Sequence, residues 1–207
     1  MLQRILIVII FGFCFKTYGQ DKNKLLLKIE NTPKTIQVDK LQAYLGKFEF
    51  SYQNKASVVR SLYKLADWIN EPKLYFQDIQ FDKLSSISFD IGVDSNQTLK
   101  GAMEGDLDPG KGMFWTWQSG YINLKVEYQK AGVEKSFHLG GYKGKQNAVY
   151  RIKMNIPKGK LLTGISFDLK AFMLFTASKN ISSVMSPGEK AVMIASNYPS
   201  FIKPIVE

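Results

Sequence analysis

The chain has 207 residues, 45% of them apolar and 22% charged, with a formal charge of +10 at neutral pH, one His and one Cys. That apolar content excludes a disordered chain, and the length suits a single domain. The single Cys excludes an intrachain disulfide framework and a cysteine-rich zinc site, and the single His excludes a two-histidine metal site built within one chain.

In chain order the first feature is an export signal. Residues 1–20 read as a secretory signal peptide: Arg4 supplies the positive start, Leu6 to Phe15 the apolar run, and Tyr18-Gly19-Gln20 the exit before Asp21-Lys22-Asn23-Lys24. The run is shorter than the roughly 20 residues a bilayer core requires. Cys14 lies inside it as a lipid-attachment alternative, but Phe11-Gly12-Phe13 puts Phe where that pattern wants a small residue. Cleavage after Gln20 leaves one domain, residues 21–207, without cysteine and destined for the periplasm or the exterior, where the milieu is oxidising. Arg4 and Lys16 leave with the signal and no acid does, so the formal charge falls from +10 to +8. Lys143, Lys145, Lys153, Lys158 and Lys160 cluster in sequence without an Arg-rich stripe. They read as solubilising strand faces and edges, and nucleic acid is not an expected partner.

Strands are expected at 25–30 and 34–38, then where Phe48, Phe50 and Tyr52 alternate with Lys47, Glu49 and Ser51. In residues 57–69, Val58, Leu62, Leu65 and Ile69 stand at helical spacing, with strand nearly as good a reading for the second half. Further strands are expected at 72–79, 86–92, 122–128, 135–139, 148–156 and 165–171. Period two with one polar face marks half-buried antiparallel strands. Asn31-Thr32-Pro33, Asp108-Pro109-Gly110, Gly140-Gly141 and Pro157-Lys158-Gly159 supply turns between them. Ser186-Pro187-Gly188-Glu189 starts a helix, with Ser186 as cap, Pro187 in the first turn and Glu189 reaching back. The expected fold is all-β: an antiparallel β-sandwich, immunoglobulin-like or an open barrel, with one or two short helices.

The stretch from Ile91 to Tyr142 carries the most chemistry. It holds two of the three tryptophans, Trp115 and Trp117, and the only histidine, His138. If 113–118 is extended, both indoles point to one side, about 7 Å apart. Such a pair can pack in a core, form a platform for a sugar ring, or pass oxidising equivalents. Asp94, Asp106 and Asp108 either gather around calcium or stabilise turns; their spacing matches no EF-hand, and Asp108-Pro109-Gly110 is adequately a turn. No Gly-x-Ser-x-Gly elbow is present, so an exported hydrolase ranks last.

Gly105-Asp106-Leu107-Asp108-Pro109, Met113-Phe114-Trp115-Thr116-Trp117-Gln118-Ser119-Gly120-Tyr121 and Phe137-His138-Leu139-Gly140-Gly141, in this order, resemble the MbnP-like proteins, copper-associated proteins named after a methanobactin operon. Ala191-x-x-x-Ala195-x-Asn197 is similar to the family's ending. The resemblance implies an exported, non-enzymatic β-rich domain. Its partner would be a dihaem cytochrome c peroxidase-like protein that oxidises a tryptophan to kynurenine, and the modified residue with histidine would help hold copper. Carried onto this chain, it points to Trp115 or Trp117 for modification and His138 for metal. Where another ligand would precede Ser186-Pro187, the chain has Met185, whose thioether suits cuprous copper. The alternative function is an exported module that holds glycans or another ligand on an exposed Trp/Tyr face.

Overall fold

The computed structural model describes residues 23–101 and 103–207; residues 1–20, read above as a signal peptide, and Cys14 among them lie outside the described residues. The chain runs through β1 (Lys24–Glu30), β2 (Ile36–Tyr52), β3 (Val58–Asp67), β4 (Lys73–Tyr75), β5 (Leu84–Ile91) and the single turn α1 (Ser95–Thr98). After a long loop come β6 (Phe114–Thr116), β7 (Gly120–Lys130), β8 (Val133–Gly140), β9 (Tyr150–Asn155) and β10 (Leu162–Asp168). Three helices, α2 (Leu169–Ser178), α3 (Glu189–Ala195) and α4 (Tyr198–Phe201), lead into β11 (Ile202–Val206).

The strands form two sheets. The larger runs β6-β7-β2-β5-β9, with β3 on β2 and β8 on β7; the smaller runs β11-β10-β1-β4. Pairing is antiparallel except between β1 and β10. Leu25 and Leu27 from β1 and Ile165 and Phe167 from β10 share one core with Phe48, Phe50, Phe89 and Ile152 of the larger sheet. Apolar faces of both sheets leave water together, which is the driving force of the sandwich.

Strand β2 organises the larger sheet. It pairs with β7 through Ile36–Ala43, with β3 through Gln42–Phe50 and with β5 through Leu45–Tyr52. The overlaps put β3 on one edge and make β7 and β5 follow one another along the other. The gap between β7 and β5 is closed by Asn123. Its Oδ1 accepts from the Val93 N–H at 3.1 Å, and its Nδ2 donates to the Gly141 carbonyl at 3.1 Å. Gly92, at φ 106°, leaves the room that this side chain fills.

Three expectations need correction. Residues 57–69 are not helical: β3 pairs with β2, and the apolar residues at helical spacing do not share a buried face, since Leu62 and Ile69 are exposed and Val58 and Leu65 only half-buried. Cross-strand pairing outweighed the local pattern. The strand expected over 165–171 stops at Asp168, whose carboxylate accepts from the Ala171 N–H at 2.9 Å and caps α2. Phe172 of this helix packs edge-on against Phe137 and Phe201. At α3 the expected face is buried (Ala191, Ile194, Ala195), but the residue before the helix is Gly188 and no side chain caps it. Strand β11, unforeseen, carries Pro204 and pairs only with β10, an edge position where proline's missing N–H costs no ladder bond.

Candidate functional site

The site is built on the β7–β8 hairpin. The strands are joined by Ala131-Gly132, with φ of 50° and 75°. Two positive φ values define the type I′ turn that matches the twist of paired strands. The resulting register sets Lys125 opposite His138 and Glu127 opposite Ser136. Leu124, Val126, Phe137 and Leu139 face the core. Lys125, Glu127 and His138 face outward, and Lys40 of β2 stands opposite Glu127 on the same side.

On this outer face the His138 Nε2 lies 2.6 Å from Glu127 Oε1, and the other Glu127 oxygen lies 3.5 Å from Lys40 Nζ. Burial pushes the imidazole below its usual range; the Glu127 hydrogen bond opposes this and the Lys125 charge adds to it. For Glu127 burial acts upward, but the His138 hydrogen bond and the Lys40 charge outweigh it and hold the carboxyl below the usual range. At neutral pH the pair is therefore a neutral imidazole beside an ionised carboxylate. The carboxylate can only accept, so Nε2 carries the proton and Nδ1 presents its lone pair. Among the described residues Nδ1 has no hydrogen-bond partner. This is how metal-binding histidines are commonly prepared: a carboxylate on one nitrogen fixes the tautomer and raises the basicity of the other.

The loop before β6 folds over the neighbouring part of this face. Lys125 Nζ donates to the Gly112 carbonyl at 2.5 Å, and burial lowers the pKa of this ammonium. The Tyr121 hydroxyl donates to the Leu107 carbonyl at 2.9 Å, and the Ile122 N–H to the Met113 carbonyl at 2.9 Å. These bonds hold the segment that delivers Trp115. Its indole lies on Gly140, where a Cβ would collide with the six-membered ring. Gly140 is two residues past His138 on the same side of β8, about 7 Å along the strand. Trp115 is partly exposed.

The two indoles part company here. The extended segment ends at Thr116, which pairs with Gly120, and Trp117 rides the intervening turn, 75% exposed. The alternation that would set both rings on one side stops before Trp117. Trp68, the third tryptophan, is buried in the core.

Met185 comes close in the fold. Val184 bridges Phe137 in parallel, taking the His138 N–H at 2.7 Å and donating to Ser136. Met185 follows Val184 directly in the chain and is 54% exposed. The aspartates have other work. Asp94 Oδ1 caps α1 through the Gln97 N–H at 2.8 Å, while Oδ2 accepts from the Tyr63 hydroxyl and pairs with Lys47. Asp108 accepts from the Gly110 N–H at 2.7 Å, as an Asp turn does. Asp106 is exposed in the short turn Gly105–Leu107. Among the described residues no three His, Cys, Asp or Glu side chains gather as a metal cluster.

Sequence reasoning missed Glu127, Lys125, Lys40 and Gly140. A signal for the first two existed. A two-residue Ala131-Gly132 turn fixes the hairpin register, and counting back from it puts Lys125 across from His138 and Glu127 on its diagonal.

Comparison with known proteins adds a lineage. No curated protein matches the chain. Among solved structures, MbnP from Methylosinus trichosporium is similar at a TM-score of 0.50 and 11% identity, over 82% of this chain and 81% of that one. At that identity the likeness speaks for the fold alone. The MbnP family model matches residues 13–193, most of the sequence, and the chain belongs to the MbnP family.

Proposed function

We propose that this chain is an exported, non-enzymatic protein of methanobactin-associated copper handling, and that Trp115 is oxidised to kynurenine by a dihaem peroxidase-like partner. The observation that carries this reading is the Glu127-backed His138, with a free Nδ1, on the face where Trp115 lies over Gly140. Membership of the MbnP family supports the methanobactin-associated part of this reading.

The donor set suits copper as cargo. Neutral imidazole and thioether are ligands for cuprous copper, and the His138 N–H is bonded to the carbonyl of Val184, the residue before Met185. An indole adds no donor, but kynurenine adds an aryl amine and a ketone. Two equivalents of peroxide, activated by the partner's haem, cleave the indole C2–C3 bond to N-formylkynurenine and leave as water. Hydrolysis then releases formate. Glu127 keeps His138 in the binding tautomer throughout.

The test is to coproduce the protein with a dihaem peroxidase-like enzyme, add peroxide, and measure intact mass, peptide masses and copper content. The expected product has gained one oxygen and lost one carbon at Trp115, and it binds copper that His138→Ala loses. An unmodified Trp115 together with copper no higher than background would sink the proposal. The glycan-binding alternative draws on the exposed Trp117. It predicts retention on a glycan array that Trp117→Ala abolishes.

A further inference from the structure

Beneath Trp115 lies a second, smaller apolar cluster, separate from the main core. Tyr44, Val93, Leu107, Met113, Tyr121 and Ile122 form it, with Tyr63 and Trp115 packed against it. All three tyrosines, Tyr44, Tyr121 and Tyr63, belong to this cluster or pack against it. Tyr121 and Tyr44 meet edge-on with centroids 5.3 Å apart. Tyr44 is paired with Leu65 and Gly46 with Tyr63, so Tyr44 and Tyr63 are diagonal neighbours on one face of β2 and β3. The Tyr63 ring lies over Gly46, where any Cβ would displace it.

These phenols differ in what receives their protons. Oxidising a phenol by one electron makes its hydroxyl a very strong acid, so the step is easy only where a base already holds the hydrogen. The Tyr44 hydroxyl is buried and has no hydrogen-bond partner among the described residues. The Tyr121 hydroxyl donates to the Leu107 backbone carbonyl, an oxygen far too weakly basic to keep a proton. The Tyr63 hydroxyl donates to the Asp94 carboxylate at 2.9 Å. Burial alone would raise the Asp94 pKa, but Lys47, the Gln97 N–H and Tyr63 outweigh it and keep the carboxyl ionised. Burial and the same carboxylate raise the Tyr63 pKa, so the phenol is intact until it is oxidised.

We propose that Tyr63 and Asp94 form a proton-coupled redox pair that takes up one oxidising equivalent from Trp115 through the Tyr121–Tyr44 contact. The oxidant is an external one-electron acceptor that reaches the partly exposed indole. It removes an electron from Trp115 and leaves the radical cation. Tyr63 then returns an electron to Trp115 while its hydroxyl proton moves to Asp94 Oδ2. The products are neutral Trp115, a neutral Tyr63 phenoxyl radical and a neutral Asp94 carboxylic acid, so charge and protons balance. The pair is a store for one oxidising equivalent beside Trp115. It depends on no copper, no kynurenine and no particular partner.

Flash photolysis with a ruthenium polypyridyl photo-oxidant tests it, with transient absorption and freeze-quench electron paramagnetic resonance to identify the radical. Tyr75 is exposed and open to direct attack, so the experiment uses a Tyr75→Phe background. The expected radical is tyrosyl, formed after a tryptophanyl precursor and slowed in deuterium oxide. Tyr63→Phe keeps the ring and removes the proton. Asp94→Asn keeps the α1 cap acceptor and removes the base. Both are expected to lose the tyrosyl signal and leave the oxidation on tryptophan, with circular dichroism unchanged. A tyrosyl signal of undiminished yield in either folded variant overturns the proposal.

Discussion

Asn123 offers the sharpest test of how the larger sheet is held open and closed. The side chain is 1% exposed and bonds one backbone donor and one backbone acceptor, Val93 N–H and Gly141 C=O, just past the ends of β5 and β8. Asn123→Ala strands both groups. Each buried unsatisfied group costs about 1–3 kcal/mol, so the loss is about 2–6 kcal/mol. A water admitted to the vacated space would bring the loss toward the lower end. Against a total stability of about 5–15 kcal/mol, that is a large fraction. Asn123→Asp is predicted to be at least as damaging at neutral pH, because it turns a carboxylate oxygen toward the Gly141 carbonyl. It should recover partly in acid, where a protonated carboxyl can donate. Urea unfolding followed by far-UV circular dichroism measures both variants. An Asn123→Ala loss below about 1 kcal/mol would refute the reasoning, since one stranded group alone exceeds it.

Three further outcomes are expected. Gly140→Val drives Trp115 off β8. It should shift tryptophan emission to the red and destabilise by about 1–3 kcal/mol, with no change in emission counting against the packing described. Ala131 holds φ 50° in the hairpin turn, so Ala131→Gly or Ala131→Asn should stabilise by about 0.5–1 kcal/mol in urea unfolding. For His138 the folded pKa lies below the unfolded value of 6.5. As pH falls through that window the unfolded chain takes the proton first, so stability drops with falling pH. His138→Gln should flatten the urea midpoint between about pH 7 and pH 5, and a slope equal to that of the unmodified chain would contradict a neutral, Glu127-bonded imidazole.

What local pattern determines and what it leaves open separate cleanly here. Alternation at Leu124, Val126 and Tyr128 specified a strand side that faces the core, because a pleated backbone sends successive side chains to opposite faces, while a register shift moves Ile122 to the second cluster. The Ala191, Ile194, Ala195 spacing specified a helix for the same kind of local reason, although Ser186 does not cap it. The family resemblance was also legible, in short motifs around Trp115 and His138. Residues 57–69 were not legible, because one apolar set fits two periods and only pairing with β2 selects between them. Nor was the parting of the indoles, since it depends on where β6 gives way to the turn carrying Trp117. The His138–Glu127 bond, the Gly140 shelf under Trp115 and the Val184 bridge to Phe137 join residues apart in the chain. A local pattern says which side of a strand a residue occupies. Only the register between strands, paid for by burying both sheets against one core, decides which residue it meets there.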